Sequence, residues 1–274
     1  MIKIKRIVPS SIYDKYLLYK IDKYLISFPK SGRTWVRMLI GYYLNNFYNL
    51  DLPLANLSIT QRLYKYHANI PRISVSHYGN PHLIHIDDIK LDKEKFKNKK
   101  VIFLIRDPRP IAVSNFYQFM FRGDKDRANF KNFSSSINDF VLGNYGGVKS
   151  IVKYYNLWLS NYGLNSNFFI IKYENLLIET KSEFEKILSI FNLPIDHDLI
   201  NETINFCNIN NLKKLEIEGK LNEYHFGGTN MKNSKVRSVG KKKWFDEVNT
   251  KTRKKMNEII NNKLDKRLSY DNFQ

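Results

Sequence analysis

The stretch Pro29-Lys30-Ser31-Gly32-Arg33-Thr34-Trp35 follows a short apolar run and opens a helix-forming one. Its residue types suit an oxyanion. Gly32 has no Cβ, so backbone can approach a bound anion, and the first turn of the helix directs unpaired N–H groups at it. Lys30 adds a mobile positive charge, and Ser31 and Thr34 add hydroxyl donors. This is the chemistry of a phosphate cradle, although the spacing differs from G-x-x-x-x-G-K-[ST]: here Lys30 precedes Gly32 by two positions.

A second anion-ready turn follows the apolar run 101–105. Arg106 stands at its end, and Ser114 lies eight positions on, about a turn into the next helix. The forked guanidinium donors and the hydroxyl could hold one phosphate together. Two such turns on neighbouring strands suggest one ligand with two separated phosphate groups.

These residues must be positioned by alternating elements. Residues 23–28 (KYLISF) read as a buried strand ending at Pro29. The helix after it carries an apolar stripe at Trp35, Met38, Leu39 and Tyr42. Residues 72–79, 101–105 and 167–176 read as further strands. Pro110 fits the first turn of the helix after the third strand, and a helix over 181–191 is ended by Asn192-Leu193-Pro194. Residues 225–244 read as a polar surface loop, and a Lys-rich helix closes the chain. The alternation predicts an α/β fold with a central parallel sheet flanked by helices. Without an internal repeat or a Gly/Ser linker, residues 1–274 read as one domain, with an N-terminal arm over 1–20 and a C-terminal helix within 245–274.

The two turns also resemble a known family. FPKSGRTW resembles the 5′-phosphosulfate loop of the sulfotransferases, usually Pro-Lys-Ser-Gly-Thr-Thr-Trp. IRDPRPIAVS resembles that family's 3′-phosphate motif, an Arg followed eight positions later by a Ser. The motifs keep the family's order, and the resemblance spans roughly residues 23–244. It implies a P-loop NTPase-like sulfotransferase fold and the donor 3′-phosphoadenosine-5′-phosphosulfate (PAPS), leaving 3′-phosphoadenosine-5′-phosphate (PAP). It further implies in-line transfer of a sulfuryl group to a hydroxyl or amine, with no metal. By the same resemblance, Lys30 would stabilise the leaving phosphate and Ser31, Gly32, Arg33 and Thr34 would bind the 5′ side. Trp35 and Tyr173 would lie against the adenine, and Arg106, Ser114 and Arg237 would hold the 3′-phosphate. RSVGKKKW, with Arg237, Gly240 and Trp244, resembles the family's C-terminal loop, although Val239 and Lys242 replace its glycines. Cys207, Asn208 and Ile209 are further adenine-side candidates. Arg33 stands where the family often has Thr, and Pro110 replaces a common Asp.

The family's base is a His just after a strand between the two motifs, where His77, His82 and His85 compete. His77 directly follows RISVS and so would emerge at a strand's carboxyl end, where ligands of open α/β sheets gather. A neutral imidazole there can take the acceptor's proton. His85 is the alternative, and His67, His197 and His225 read as structural. Aromatic stretches at 115–130 and 144–159, with Phe119, Phe121 and Tyr145, would line the acceptor side or pack in the core. The acceptor is expected to be a small molecule, a saccharide or a lipid.

With 43% hydrophobic residues the chain is not disordered, and no apolar run approaches the about 18 residues that span a bilayer. No signal peptide is read at the N-terminus. Cys207 is the single cysteine, which forbids an internal disulfide or a cysteine-based zinc site and fits the cytoplasm. The net charge of +19 favours anionic partners, yet the lysines are spread along the chain and equally fit solvated faces. A P-loop kinase or nucleotide triphosphatase would need Mg²⁺ and a differently placed Lys, with Asp107 as a metal-ligand mimic. A basic nucleic-acid- or polysaccharide-binding protein is the other alternative. No RNP, KH or zinc-finger pattern is present, so no specific nucleic-acid partner is expected.

Overall fold

Four parallel strands form the sheet, in the order β2 (Ile73–Ser76), β1 (Lys23–Ser27), β3 (Lys100–Ile105), β4 (Phe168–Lys172). The computed structural model describes residues 21–92, 94–121, 136–226 and 243–270. β1 and β3 occupy the centre and are covered on both faces, which is why they read as unbroken apolar runs.

Side chains alternate across each strand and so feed two cores. Tyr24 and Ile26 of β1 and Phe103 and Ile105 of β3 join the first core, with helices α2 (Pro108–Phe121), α4 (Val148–Tyr162) and α9 (Thr250–Lys263). Leu25, Ile102 and Leu104 point the other way. They pack with α1 (Arg33–Phe47), α6 (Thr180–Ile190), α7 (His197–Phe206) and α8 (Ile209–Ile217). A short helix, α3 (Ile137–Leu142), adds Phe140 and Val141 to the first core. No described helix is long and apolar enough to cross a membrane.

One segment differs from its sequence reading, and another resolves to one of its two alternatives, core packing. Residues 167–176 are not strand throughout: β4 ends at Lys172, and Tyr173 begins α5 (Tyr173–Ile178). Glu174 lies in the first turn of α5, where a carboxylate suits the helix dipole, and it accepts the Asp107 N–H at 2.9 Å. The aromatic stretch 144–159 is largely α4. There Ile151, Tyr155 and Trp158 are fully buried at helical spacing, and Trp158 stacks on Phe103 with ring centroids 5.4 Å apart. Arg237, Gly240 and most of the polar stretch 225–244 lie outside the described residues.

Candidate active site

The turn from β1 to α1 is built on two left-handed residues, Lys30 (φ 70°) and Gly32 (φ 91°). Positive φ at a lysine costs about 1–3 kcal/mol and is the kind of strain that collects at functional turns. It turns the Lys30 carbonyl toward Arg106, whose Nη1 donates to it at 3.1 Å. Lys30 Nζ reaches across to Gln118 Oε1 of α2, 3.5 Å away. Ser31 is fully buried beside the Tyr155 hydroxyl, on which it acts, yet its Oγ makes no geometric hydrogen bond among the described residues. A buried hydroxyl left open at such a turn fits a ligand oxygen.

Gly32 caps α1 and sits under Tyr173. A Cβ at this position would lie 2.3 Å from Tyr173 Cδ2, so the close approach of the ring demands glycine as much as the backbone angle does. Arg106 covers the Tyr173 ring, with Cζ 4.4 Å from its centroid. Trp35 meets Tyr173 edge-on at 6.1 Å and donates from Nε1 to the Cys207 carbonyl at 2.8 Å. Lys30, Gly32, Trp35, Arg106 and Tyr173, drawn from three strand ends and separated by up to 143 positions, therefore converge (173 minus 30).

The Arg106 turn is held from below by Tyr155. Its hydroxyl donates to the Arg106 carbonyl at 3.0 Å and accepts the Arg106 N–H at 3.1 Å, and burial raises its pKa. Asp107 is bound to Arg109 by a buried bidentate pair, with Nη2 2.8 Å and Nε 2.9 Å from the carboxylate oxygens. Arg109 also donates to Asn257 Oδ1 and to the Tyr270 carbonyl, each at 2.9 Å. A carboxylate so committed does not serve as the metal ligand of a kinase site. Among the described residues, no group of three or more His, Cys, Asp or Glu is placed to hold a metal ion. Ser114 is half-buried nearly two turns into α2, deeper than its sequence reading, and makes no hydrogen bond with Arg106.

The histidines separate by register. β2 pairs with β1 so that Ser76 faces Ile26, which sets His77 beside Ser27. His77 Nδ1 lies 2.9 Å from the Ser27 carbonyl. A carbonyl only accepts, so Nδ1 carries the proton in this pair and the neutral ring keeps its lone pair on Nε2. Tyr154 fixes the same residue from α4, donating to the His77 carbonyl at 3.0 Å. His82 is buried between Phe28 and Phe119, with its ring 6.0 Å from that of His77. His85 caps the turn at Ile86–Asp88 by accepting the Asp87 N–H, and packs on Tyr145 at 5.1 Å. Phe119 is buried and Phe121 half exposed. His225 bonds Ser58 at 2.7 Å, and Asn208 caps α8. The supporting residues Tyr154, Tyr155, Gln118 and Glu174 carry no local motif. Only the helical spacing of the 144–159 aromatics hinted at the tyrosines.

Residues 20–267 match the family model described as the sulfotransferase domain. The chain belongs to the sulfotransferase family. Its reaction class is therefore the transfer of a sulfuryl group. Among similar proteins, the rat sulfotransferase 2A6 (Rattus norvegicus) is 23% identical over 207 residues, 74% of this chain and 71% of the relative. The guinea-pig 3-beta-hydroxysteroid sulfotransferase (Cavia porcellus) is 26% identical over 219 residues, 75% of this chain and 71% of the relative. The fold is shared with the mouse sulfotransferase SULT7A1 solved with PAP, at a TM-score of 0.58 and 15% identity, covering 89% of this chain and 84% of that one. Retinol dehydratase solved with androsterone and PAP gives the same TM-score and identity over 92% and 82%.

Proposed function

We propose that this sulfotransferase takes its sulfuryl group from PAPS and places it on the hydroxyl or amine of a small-molecule acceptor, with His77 as the base. The observation that supports this most is the convergence of the Gly32 amide turn, the Lys30 side chain and the Arg106–Tyr173 pair at one edge of the sheet. A phosphate and an adenine need those features side by side. The open Ser31 hydroxyl and the glycine held against an aromatic ring fit such a nucleotide.

In this reading the N–H groups of Gly32 to Thr34 and the Ser31 hydroxyl hold the 5′-phosphate. Trp35 and Tyr173 flank the adenine, and Arg106, Ser114 and Arg237 hold the 3′-phosphate, with Gly240 in the same loop. When bound, the donor supplies a sulfuryl group on a good leaving phosphate. Lys30 neutralises charge that builds on the bridging oxygen, and His77 Nε2 receives the acceptor's proton. The acceptor's class is drawn from relatives named for steroid substrates, and the lone, buried Cys207 supports a cytosolic setting.

Isothermal calorimetry with PAP, followed by incubation with ³⁵S-labelled donor and fractionated small-molecule extract, tests the proposal. Wild type should bind PAP and label an acceptor. Lys30→Ala should lose about 10²–10³ in transfer rate while still binding PAP. No heat with PAP and no labelled product would remove the proposal.

A further inference from the structure

We infer that Arg33 and Arg37 form an oxyanion subsite for the acceptor, so that this enzyme sulfates molecules already carrying a carboxylate, phosphate or sulfate group. The inference rests on the PAPS reading above. Both arginines lie on one face of α1, four residues apart, where side chains are neighbours. Arg37 is 4% exposed. Its Nη2 donates to Gln61 Oε1 at 2.9 Å, and its Nε is buried with no partner among the described residues. Arg33 makes no side-chain hydrogen bond or ion pair among the described residues, and the groups acting on it are the Tyr154 and Tyr224 hydroxyls.

Arg37 is buried and Arg33 is half-buried beside it, and cations this close favour an anion between them, because burying an unpaired charge is costly. Among the described residues no Asp or Glu acts on either one. Burial pulls Arg33 down to about 10. Burial first, and then the charge of Arg33, pulls Arg37 down to about 9, so both stay protonated at neutral pH. An anionic ligand would supply the missing charge.

Location says which ligand. Arg33 is near enough to Tyr154 to act on it electrostatically, and the Tyr154 hydroxyl donates to the His77 carbonyl at 3.0 Å. The adenine-side pair, Trp35 and Tyr173, lies elsewhere around the start of α1 and is joined to the Cys207 carbonyl and Arg106. An oxyanion on the two arginines would therefore present a nearby hydroxyl of the same molecule to His77. That oxygen gives its proton to His77 Nε2 and forms the new S–O bond. The bond from sulfur to the bridging oxygen breaks, and its electron pair stays on the leaving phosphate. The +19 net charge draws such acceptors toward the protein.

The test uses three phenols of one shape, 4-hydroxybenzoate, 4-hydroxyphenyl phosphate and the neutral 4-hydroxybenzamide. Each is titrated by calorimetry into the PAP-saturated protein and then assayed with ³⁵S-labelled PAPS. Wild type should bind at least one anionic phenol tenfold or more tighter than the amide, and the stronger of the two identifies the oxyanion preferred. Arg37→Met should abolish that preference and keep PAP affinity within about twofold. Arg33→Thr, a half-buried position taking the residue common in the family, should abolish the preference too and guards against a misfolded Arg37 variant. Equal affinity for all three phenols, including none measurable, overturns the inference, as does a preference that survives both substitutions. A tenfold loss of PAP affinity in Arg37→Met would assign the pair to the donor instead and also overturn it. Wild type that fails to bind PAP would overturn the donor reading itself, a result separable from every other.

Discussion

Gly32 and Tyr173 are packed so closely that the glycine hydrogen faces the phenol ring directly, with 2.3 Å between an ideal Cβ and Tyr173 Cδ2. Since Gly32 also holds φ at 91°, two separate constraints exclude a side chain there. Gly32→Ala should lose about 2–4 kcal/mol of stability, from the left-handed backbone together with the overpacked ring. PAP affinity should fall more than tenfold. Urea denaturation and calorimetry check both, and Tyr173→Ala in the same chain should recover the overpacking part of the stability loss.

His77→Gln should reduce kcat by about 10²–10⁴ while PAP still binds. His85→Gln should change kcat by no more than a few-fold, since His85 serves a surface turn. Single-turnover rates with labelled donor measure both. The opposite ranking would move the base to His85.

Asp107→Asn should destabilise the protein by about 3–5 kcal/mol, because it leaves the buried Arg109 guanidinium without its carboxylate. Thermal unfolding checks this, and added Mg²⁺ should alter neither wild-type stability nor wild-type transfer. A variant as stable as wild type that has lost a measurable Mg²⁺ affinity would favour the metal-ligand role.

The Glu174 carboxyl has a raised pKa, chiefly through burial. Its folded form thus holds its proton to higher pH than its unfolded form. Stability is highest below the unfolded value and declines as pH rises through the raised folded value. Glu174→Gln keeps an oxygen for the Asp107 N–H and should flatten that part of the curve. Urea midpoints measured from pH 4 to 8 in both proteins test it (the range spans the about 4.3 of an unperturbed Glu).

The strand–turn–helix at the proposed 5′-phosphate loop was legible because its signals are local. An apolar run ending in Pro29-Lys30-Ser31-Gly32 sets strand, turn and helix within a dozen residues. Tyr173 was legible only as a residue type, since the change from strand to helix at Lys172 depends on Glu174 reaching the Asp107 amide across the sheet. His77 was favoured in the sequence by its place just after a strand, whereas its contact with the Ser27 carbonyl was not legible, because that depends on the pairing of β2 with β1. The 144–159 aromatics were ambiguous for a related reason. A helix buried beneath a parallel sheet carries aromatic residues much as a binding wall would, and only packing such as Trp158 on Phe103 distinguishes them. Arg33 reads in the sequence as a donor-side residue that adds charge where the family often has Thr, and its place one turn before the buried Arg37 is visible only in the fold.

The strand order divides the molecule's labour. β1 stands between β2, which delivers His77, and the β3–β4 pair, which delivers Arg106 and Tyr173. In the proposed assignment, the base and the 3′-phosphate and adenine contacts come from opposite sides of β1, so a change confined to the β2 flank should alter proton transfer before it alters nucleotide affinity.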